Sequence, residues 1–269
     1  MVRFKDKVVI ITGGGGVLGG SIAKGFINEG AKVVLLGRTK KTLTDQANQF
    51  KNVEHRILCI TADVLNEESL EKAKKEIIDV FGDIDILVNA AGGNRKGATI
   101  SPEQTFFDLS RKDFEAVTQL NLMGTLLPCF VFGKVFEDKK EGVILNISSM
   151  AADRVISRVI GYSASKAAVE NFTKSLSVEL ALKFGEGMRV NAIAPGFFIG
   201  EQNRFLLLNE DGTYTERGES IIKNTPMKRF GEKDEVVGAS LFLCSKDAKF
   251  ITGTVLPIDG GFSSFSTCW

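Results

Sequence analysis

The chain has 269 residues, 43% of them hydrophobic, which is enough apolar material for one large α/β core or two small ones. Lysine and arginine number 34 against 33 acidic residues, a balance that argues against nucleic acid or an anionic membrane as the main partner. The charged opening, Met1-Val-Arg-Phe-Lys-Asp-Lys, does not read as a signal peptide. The nearest approach to a membrane span, residues 120–136, is broken by Asn121, Gly124, Pro128, Gly133 and Lys134.

In chain order, short apolar runs at 7–12, 32–36, 57–61, 84–89, 143–148, 189–194 and 255–258 read as strands. They scarcely alternate, as expected where both faces of a sheet are covered. Helical patterns lie between and after them, at about 18–29, 40–50, 67–81, 111–137, 162–184 and 233–245. This alternation predicts the α/β class: a single-domain, Rossmann-type, doubly wound parallel sheet of about seven strands over 1–269, with helices on both faces. The one long irregular stretch, 196–230, is expected to be a substrate loop or lid.

The first strand runs into Gly13-Gly14-Gly15-Gly16-Val17-Leu18-Gly19 and then a helix. Gly14-x-Gly16-x-x-Gly19 fits a dinucleotide fingerprint, in which glycines let the backbone approach a pyrophosphate and the following helix N-terminus offers it free N–H groups. The second strand ends at Gly37-Arg38-Thr39-Lys40-Lys41, with no carboxylate for the adenosine ribose hydroxyls. Arg38, with Lys40 or Lys41, suits a 2′-phosphate, so NADP(H) is expected to be preferred, with NAD(H) possible. His55 is the only histidine, and Cys59, Cys129, Cys244 and Cys268 form no Cys-x-x-Cys pair. No metal site is expected, and the cysteines read as reduced thiols of a cytoplasmic protein.

Tyr162 and Lys166 fall four apart at the start of a helical pattern, on one face. A nearby ammonium favours the phenolate, which predicts a lowered pKa and a tyrosine able to exchange protons near neutrality. Along the helix, Val169, Phe172, Leu176 and Leu180 form an apolar stripe.

With these motifs in place, the chain resembles the short-chain dehydrogenase/reductase family along essentially its whole length. The resemblance rests on Thr12 to Gly19, on Asp63 and Val64 in Ala-Asp-Val, and on Asn89-Ala90-Ala-Gly92. It continues through Asn121, Ser149 thirteen residues before Tyr162, Pro195-Gly196, and Asp259-Gly260-Gly261. It implies a cofactor site at Gly13, Gly14, Gly16, Val17, Leu18, Gly19, Arg38, Asp63, Val64, Asn89, Ala90, Gly92, Tyr162, Lys166, Pro195 and Gly196. It also implies a catalytic tetrad of Asn121, Ser149, Tyr162 and Lys166. In that tetrad Tyr162 protonates a carbonyl oxygen as hydride arrives, Ser149 holds the oxygen, Lys166 supports the tyrosine and grips the nicotinamide ribose, and Asn121 holds a water that reprotonates the relay. A homotetramer built through helices 111–137 and 162–184 is implied as well. One departure is Val17, where the family usually has glycine; Gly16 takes that role if the turn shifts by one residue.

Gly92-Gly-Asn-Arg95, residues 197–204, residues 215–218 and residues 261–265 are similar to a sugar-acid branch of the family, identified with D-mannonate oxidoreductase or fructuronate reductase. Arg95, Lys96, Arg158, Gln202, Asn203 and Arg204 are then candidates, with Ser149, to hold a substrate carboxylate and hydroxyls. Rival substrates are gluconate, steroids and 3-oxoacyl thioesters, the last served by an apolar slot of Phe197, Phe198, Phe205 and residues 206–208. A catalytically silent dinucleotide-binding regulator is the rival of another class; such a chain is expected to lack a tetrad member, and this one has all four.

Overall fold

Five consecutive buried residues, Val8–Thr12, form strand β1. Their side chains alternate between two cores, Val9 and Ile11 on one face and Val8 and Ile10 on the other, so a strand with no polar face still obeys the two-residue period. The computed structural model describes residues 2–200 and 204–266. Strands β2 (Lys32–Gly37), β3 (Ile57–Thr61), β4 (Ile86–Asn89), β5 (Gly142–Ile147), β6 (Met188–Pro195) and β7 (Val255–Ile258) complete one sheet. The order is β3-β2-β1-β4-β5-β6-β7, parallel throughout. The chain reverses its direction of winding between β1 and β4, and such a switch opens a crevice at the carboxyl ends of the strands.

Helices α1 (Val17–Asn28), α2 (Lys40–Ala47) and α3 (Glu67–Phe81) follow the first three strands. A continuous helical run then comprises α4 (Arg111–Thr118), a π-helical turn at Gln119–Met123 and α5 (Gly124–Lys139). Helix α6 (Ile160–Phe184) follows β5, and α7 (Arg204–Leu207), α8 (Glu216–Asn224) and α9 (Val237–Cys244) lie between β6 and β7. Ile22 and Phe26 of α1 and Leu241 of α9 fill the core on one face. Leu70 and Ile77 of α3 and Phe132 and Phe136 of α5 fill the other. Fully burying a side chain such as Phe132 contributes roughly 1.5–3 kcal/mol.

Three expectations need adjustment. The run Arg111–Lys139 is long and, over part of its length, apolar enough for a membrane span; yet Val117, Val131, Phe132 and Phe136 are buried within the protein, so much of its apolar surface serves the core. On α6 the fully buried face is Gly161, Ser165, Lys166, Val169, Thr173 and Ser177, whereas Phe172, Leu176 and Leu180 are only partly buried. Small side chains suit the close approach there: a Cβ at Gly161 would lie 2.9 Å from the ring of Phe114 on α4. Finally, the described part of 196–230 is a folded excursion. Leu207, Ile221 and Phe230 form a small core of their own, and isolated bridges pair Phe198 with Gly231 and Leu208 with Tyr214.

Candidate active site

At the end of β1, Thr12 Oγ1 accepts hydrogen bonds from the N–H groups of Ala90 and Ala91, each at 3.1 Å, which ties β1 to the end of β4. Gly13 follows with φ of +65°, and a Cβ there would meet the Ala90 carbonyl oxygen at 2.8 Å; only glycine combines that conformation with that approach. A Cβ at Gly19 would lie 2.5 Å from the Gly13 carbonyl oxygen, so this position too closes the turn tightly. Gly16 is the residue before α1 and provides no side-chain cap. The first-turn N–H groups of Val17, Leu18 and Gly19 therefore stand at the positive end of α1, where an anion is favoured. Val17 is the first residue of α1 and is 37% exposed, while the Gly16 N–H donates to the Gly13 carbonyl at 2.9 Å. The departure at Val17 thus falls outside the tight part of the turn.

The remaining predicted cofactor residues cluster at the same edge. Asp63 is half-buried, and one oxygen accepts from the Leu65 N–H at 3.0 Å; Val64 is buried. Asn89 is buried and donates to Asn146 Oδ1 at 2.9 Å, while its own Oδ1 has no partner. Gly196 follows Pro195 and fits under Asp259, where a Cβ would lie 2.7 Å from that residue's Cα. Arg38 is exposed just past β2, and Lys41 is paired with Asp45 at 2.6 Å. The glycine turn and the uncapped helix end fit a dinucleotide along this crevice.

The four predicted catalytic residues come from the π-turn, the end of β5 and the start of α6. Asn121, fully buried in the π-turn, donates to the carbonyl oxygens of Gly93 and Val117 at 2.7 and 2.8 Å and accepts from the Gly93 N–H at 3.1 Å. Both its N–H donors are spent on backbone, so the water-holding role implied for it has only the second lone pair of Oδ1 available. A Cβ at Gly92 would sit 2.8 Å from Asn121 Oδ1 and 3.3 Å from Lys166 Nζ. Gly92 thus lies where Asn121 and Lys166 converge.

Lys166 is 4% exposed, and its Nζ donates to the Ile147 carbonyl oxygen at 2.7 Å and stands 5.7 Å from the Tyr162 ring centroid. Burial lowers its pKa to about 8. Ser149 is buried, with Oγ accepting from the Ala151 N–H at 3.2 Å, and lies beside the Tyr162 hydroxyl. The phenol corrects an expectation: burial raises its pKa, opposed by the Ser149 hydrogen bond. The lysine does not drive it down as the helical spacing predicts, because both groups are desolvated together.

The predicted substrate residues scatter. Arg95 reaches Asp113 at 3.5 Å, an ion pair within the chain, and Lys96 is exposed in the short turn after it. Arg158 Nε donates to the Ile100 carbonyl, and its own carbonyl accepts from the Ile100 N–H at 3.0 Å. Arg204 opens α7 and is exposed. Gln202 and Asn203 lie outside the described residues. Of the aromatic slot, Phe198 and Leu207 are buried in the cores and Phe197 stacks edge-on against Phe262. Sequence reasoning assigned no role to the Thr12 hydroxyl, the Gly93 backbone or the Ile147 carbonyl. The last two act through backbone, which side-chain identity cannot reveal.

The family model for enoyl-(acyl carrier protein) reductase matches residues 16–263. An uncharacterized oxidoreductase of Bacillus subtilis, UxuB, is 40% identical over 269 residues, 97% of this chain and 96% of its own length. A crystal structure from Haemophilus influenzae, provisionally named a D-mannonate oxidoreductase and holding bound NAD, is 40% identical with a TM-score of 0.92, covering 98% of this chain and 97% of that one. A gluconate 5-dehydrogenase from Burkholderia cenocepacia, in complex with NADP and tartrate, is 29% identical with a TM-score of 0.86, covering 98% of each chain.

Proposed function

The chain belongs to the short-chain dehydrogenase/reductase family of NAD(P)-dependent oxidoreductases, and we propose that it moves hydride between nicotinamide and the ketone or secondary alcohol of a sugar acid, the pair D-fructuronate and D-mannonate. The observation that carries the chemistry is the cluster of buried Ser149 and Lys166 with half-buried Tyr162 beside the Gly92–Asn121 contact. The nicotinamide supplies the hydride. Tyr162 gives its hydroxyl proton to the carbonyl oxygen, and Ser149 Oγ beside that hydroxyl holds the same oxygen. Lys166 stays mostly protonated at pH 7 and places positive charge under the phenol as it loses its proton. Asn121 braces the Gly93 backbone beside the site.

The support for a sugar acid is the likeness to the Haemophilus protein. The folded excursion over 196–230 acts as the substrate lid. Arg38, with no carboxylate at the end of β2, favours NADP(H) over NAD(H). The test is initial-rate oxidation of NADPH and of NADH with D-fructuronate, 5-ketogluconate and an acetoacetyl thioester. Fast turnover of D-fructuronate, faster with NADPH, is expected. Turnover of the thioester or ketogluconate alone removes the sugar-acid assignment, and a clear NADH preference removes the role given to Arg38.

A further inference from the structure

Three consecutive residues at the end of β5 are each tied to α6 by a hydrogen bond. Asn146 Nδ2 donates to Thr173 Oγ1 at 2.9 Å, the Ile147 carbonyl accepts from Lys166 Nζ at 2.7 Å, and Ser148 Oγ donates to Glu170 Oε1 at 2.8 Å. Lys166, Glu170 and Thr173 fall at steps of four and three, so one face of α6 holds this strand end. The Lys166 tie belongs to the site already described. Asn146 and Thr173 are neutral and fully buried, a pair suited to fastening sheet to helix. The tie between Ser148 and Glu170 is explained by neither role.

Ser148 is 2% exposed, and its N–H donates to the Ile193 carbonyl of β6 at 2.8 Å. Its hydroxyl carries a single hydrogen. The other acceptor near it, the Lys166 carbonyl, lies at 3.5 Å, well outside the usual range for a hydroxyl donor. The hydrogen therefore goes to Glu170, and a bond to an ionised acceptor is about twice as strong as one between neutral groups. Glu170 is half-buried. Burial, first, raises its pKa; the Ser148 hydrogen bond and Lys174 pull it back, and Asp153 raises it further. The carboxylate is thus held where the protein disfavours its charge, although a neutral acceptor, like Thr173 for Asn146, joins strand to helix at lower cost. What the charged acceptor adds is a firm hold on Ser148, the residue between Ile147 and Ser149.

We propose that Glu170 is a positioning residue for the reaction, acting through Ser148 to set Ser149 and the Ile147 carbonyl against Tyr162 and Lys166. This rests on the roles proposed above for Ser149, Tyr162 and Lys166, and it is independent of which carbonyl compound is reduced. The proton donor stands on α6 and the serine that holds the substrate oxygen stands past β5, so the distance between them is set by the ties between these two elements. The Lys166 tie runs through a flexible four-carbon stem. Ser148 has a one-carbon side chain, and its bond to Glu170 fixes the backbone next to Ser149 far more closely. A misplacement of about 1 Å at such a site can cost on the order of 100-fold in rate.

The test measures NADPH affinity, and kcat and KM for whichever of D-fructuronate, 5-ketogluconate and an acetoacetyl thioester the wild type reduces, in wild type, E170A, E170Q, S148A and S148A/E170A. Removing the tie should lower kcat about tenfold in E170A and in S148A, with KM and NADPH affinity within about threefold of wild type. The double variant should be about as slow as the slower single one, because both changes remove the same bond. E170Q, whose amide oxygen accepts that bond, should recover most of kcat. A kcat within about twofold of wild type in both alanine variants overturns the inference, whatever their thermal midpoints, and so do losses that multiply in the double variant. Y162F tells the two readings apart. If it is inactive while E170A and S148A are not, only the positioning role fails; if it keeps near wild-type kcat, or if wild type reduces none of the three compounds, the reading of the site fails and this inference with it. If E170A does not fold, S148A, which leaves the carboxylate in place, decides the same question.

Discussion

At the scale of single residues, the site depends on the burial of Lys166. Its folded pKa of about 8 lies below the ordinary 10.5, so between those values the folded chain binds fewer protons than the unfolded one. Its contribution to stability therefore rises as pH increases through that window, and below pH 8 the buried ammonium exerts its full cost. Activity runs the other way. The charge under the phenol is present below about pH 8 and lost above it, so kcat for carbonyl reduction should fall as pH passes that value. Lys166→Met should abolish most turnover without lowering the thermal midpoint at pH 7, because the variant no longer buries a charge. A pH profile of kcat and a pair of melts check this; a midpoint several degrees below wild type would show that Lys166 stabilises the fold rather than serving the chemistry. The spacing of Tyr162 and Lys166 identified the partners but gave the wrong direction for the phenol, because burial, the larger cause, is a tertiary property invisible in a four-residue spacing.

At the scale of elements, the sheet and its glycine turn were legible. Continuous apolar runs marked all seven strands to within a few residues, and the glycines at 13, 14, 16 and 19 marked the crevice before any geometry was known. Two features were not legible. The run over 111–137 read as one helix, but a π-turn at Gln119–Met123 widens it and turns Asn121 inward. Nothing in the apolar periodicity distinguishes a four-residue hydrogen-bond step from a five-residue one over so short a span, and π-turns of this kind occur often at functional sites. The stretch 196–230 read as irregular because its helices are short and its apolar contacts, Leu207 with Ile221 and Phe230, are non-local.

At the scale of the whole molecule, the crevice between β1 and β4 gathers residues from the ends of β1, β4, β5 and β6 and from the N-terminus of α1, so the carboxyl end of one sheet carries both the proposed cofactor cradle and the proposed catalytic residues. The outer faces of α5 and α6 leave Phe130, Val178 and Leu182 at 62%, 56% and 78% exposure, an apolar surface suited to burial against copies of the chain. Light scattering is expected to give four times the chain mass; a monomer at micromolar concentration would contradict the tetramer. The central claim is that Tyr162 is the proton donor within an intact cofactor site. The most direct measurement is Tyr162→Phe, with NADPH binding followed by fluorescence and D-fructuronate reduction followed in the same preparation. Removing the proton donor should leave cofactor affinity within about threefold of wild type and cut kcat by about 100-fold or more. Reduction at near wild-type rate, with the cofactor bound as before, would contradict the account.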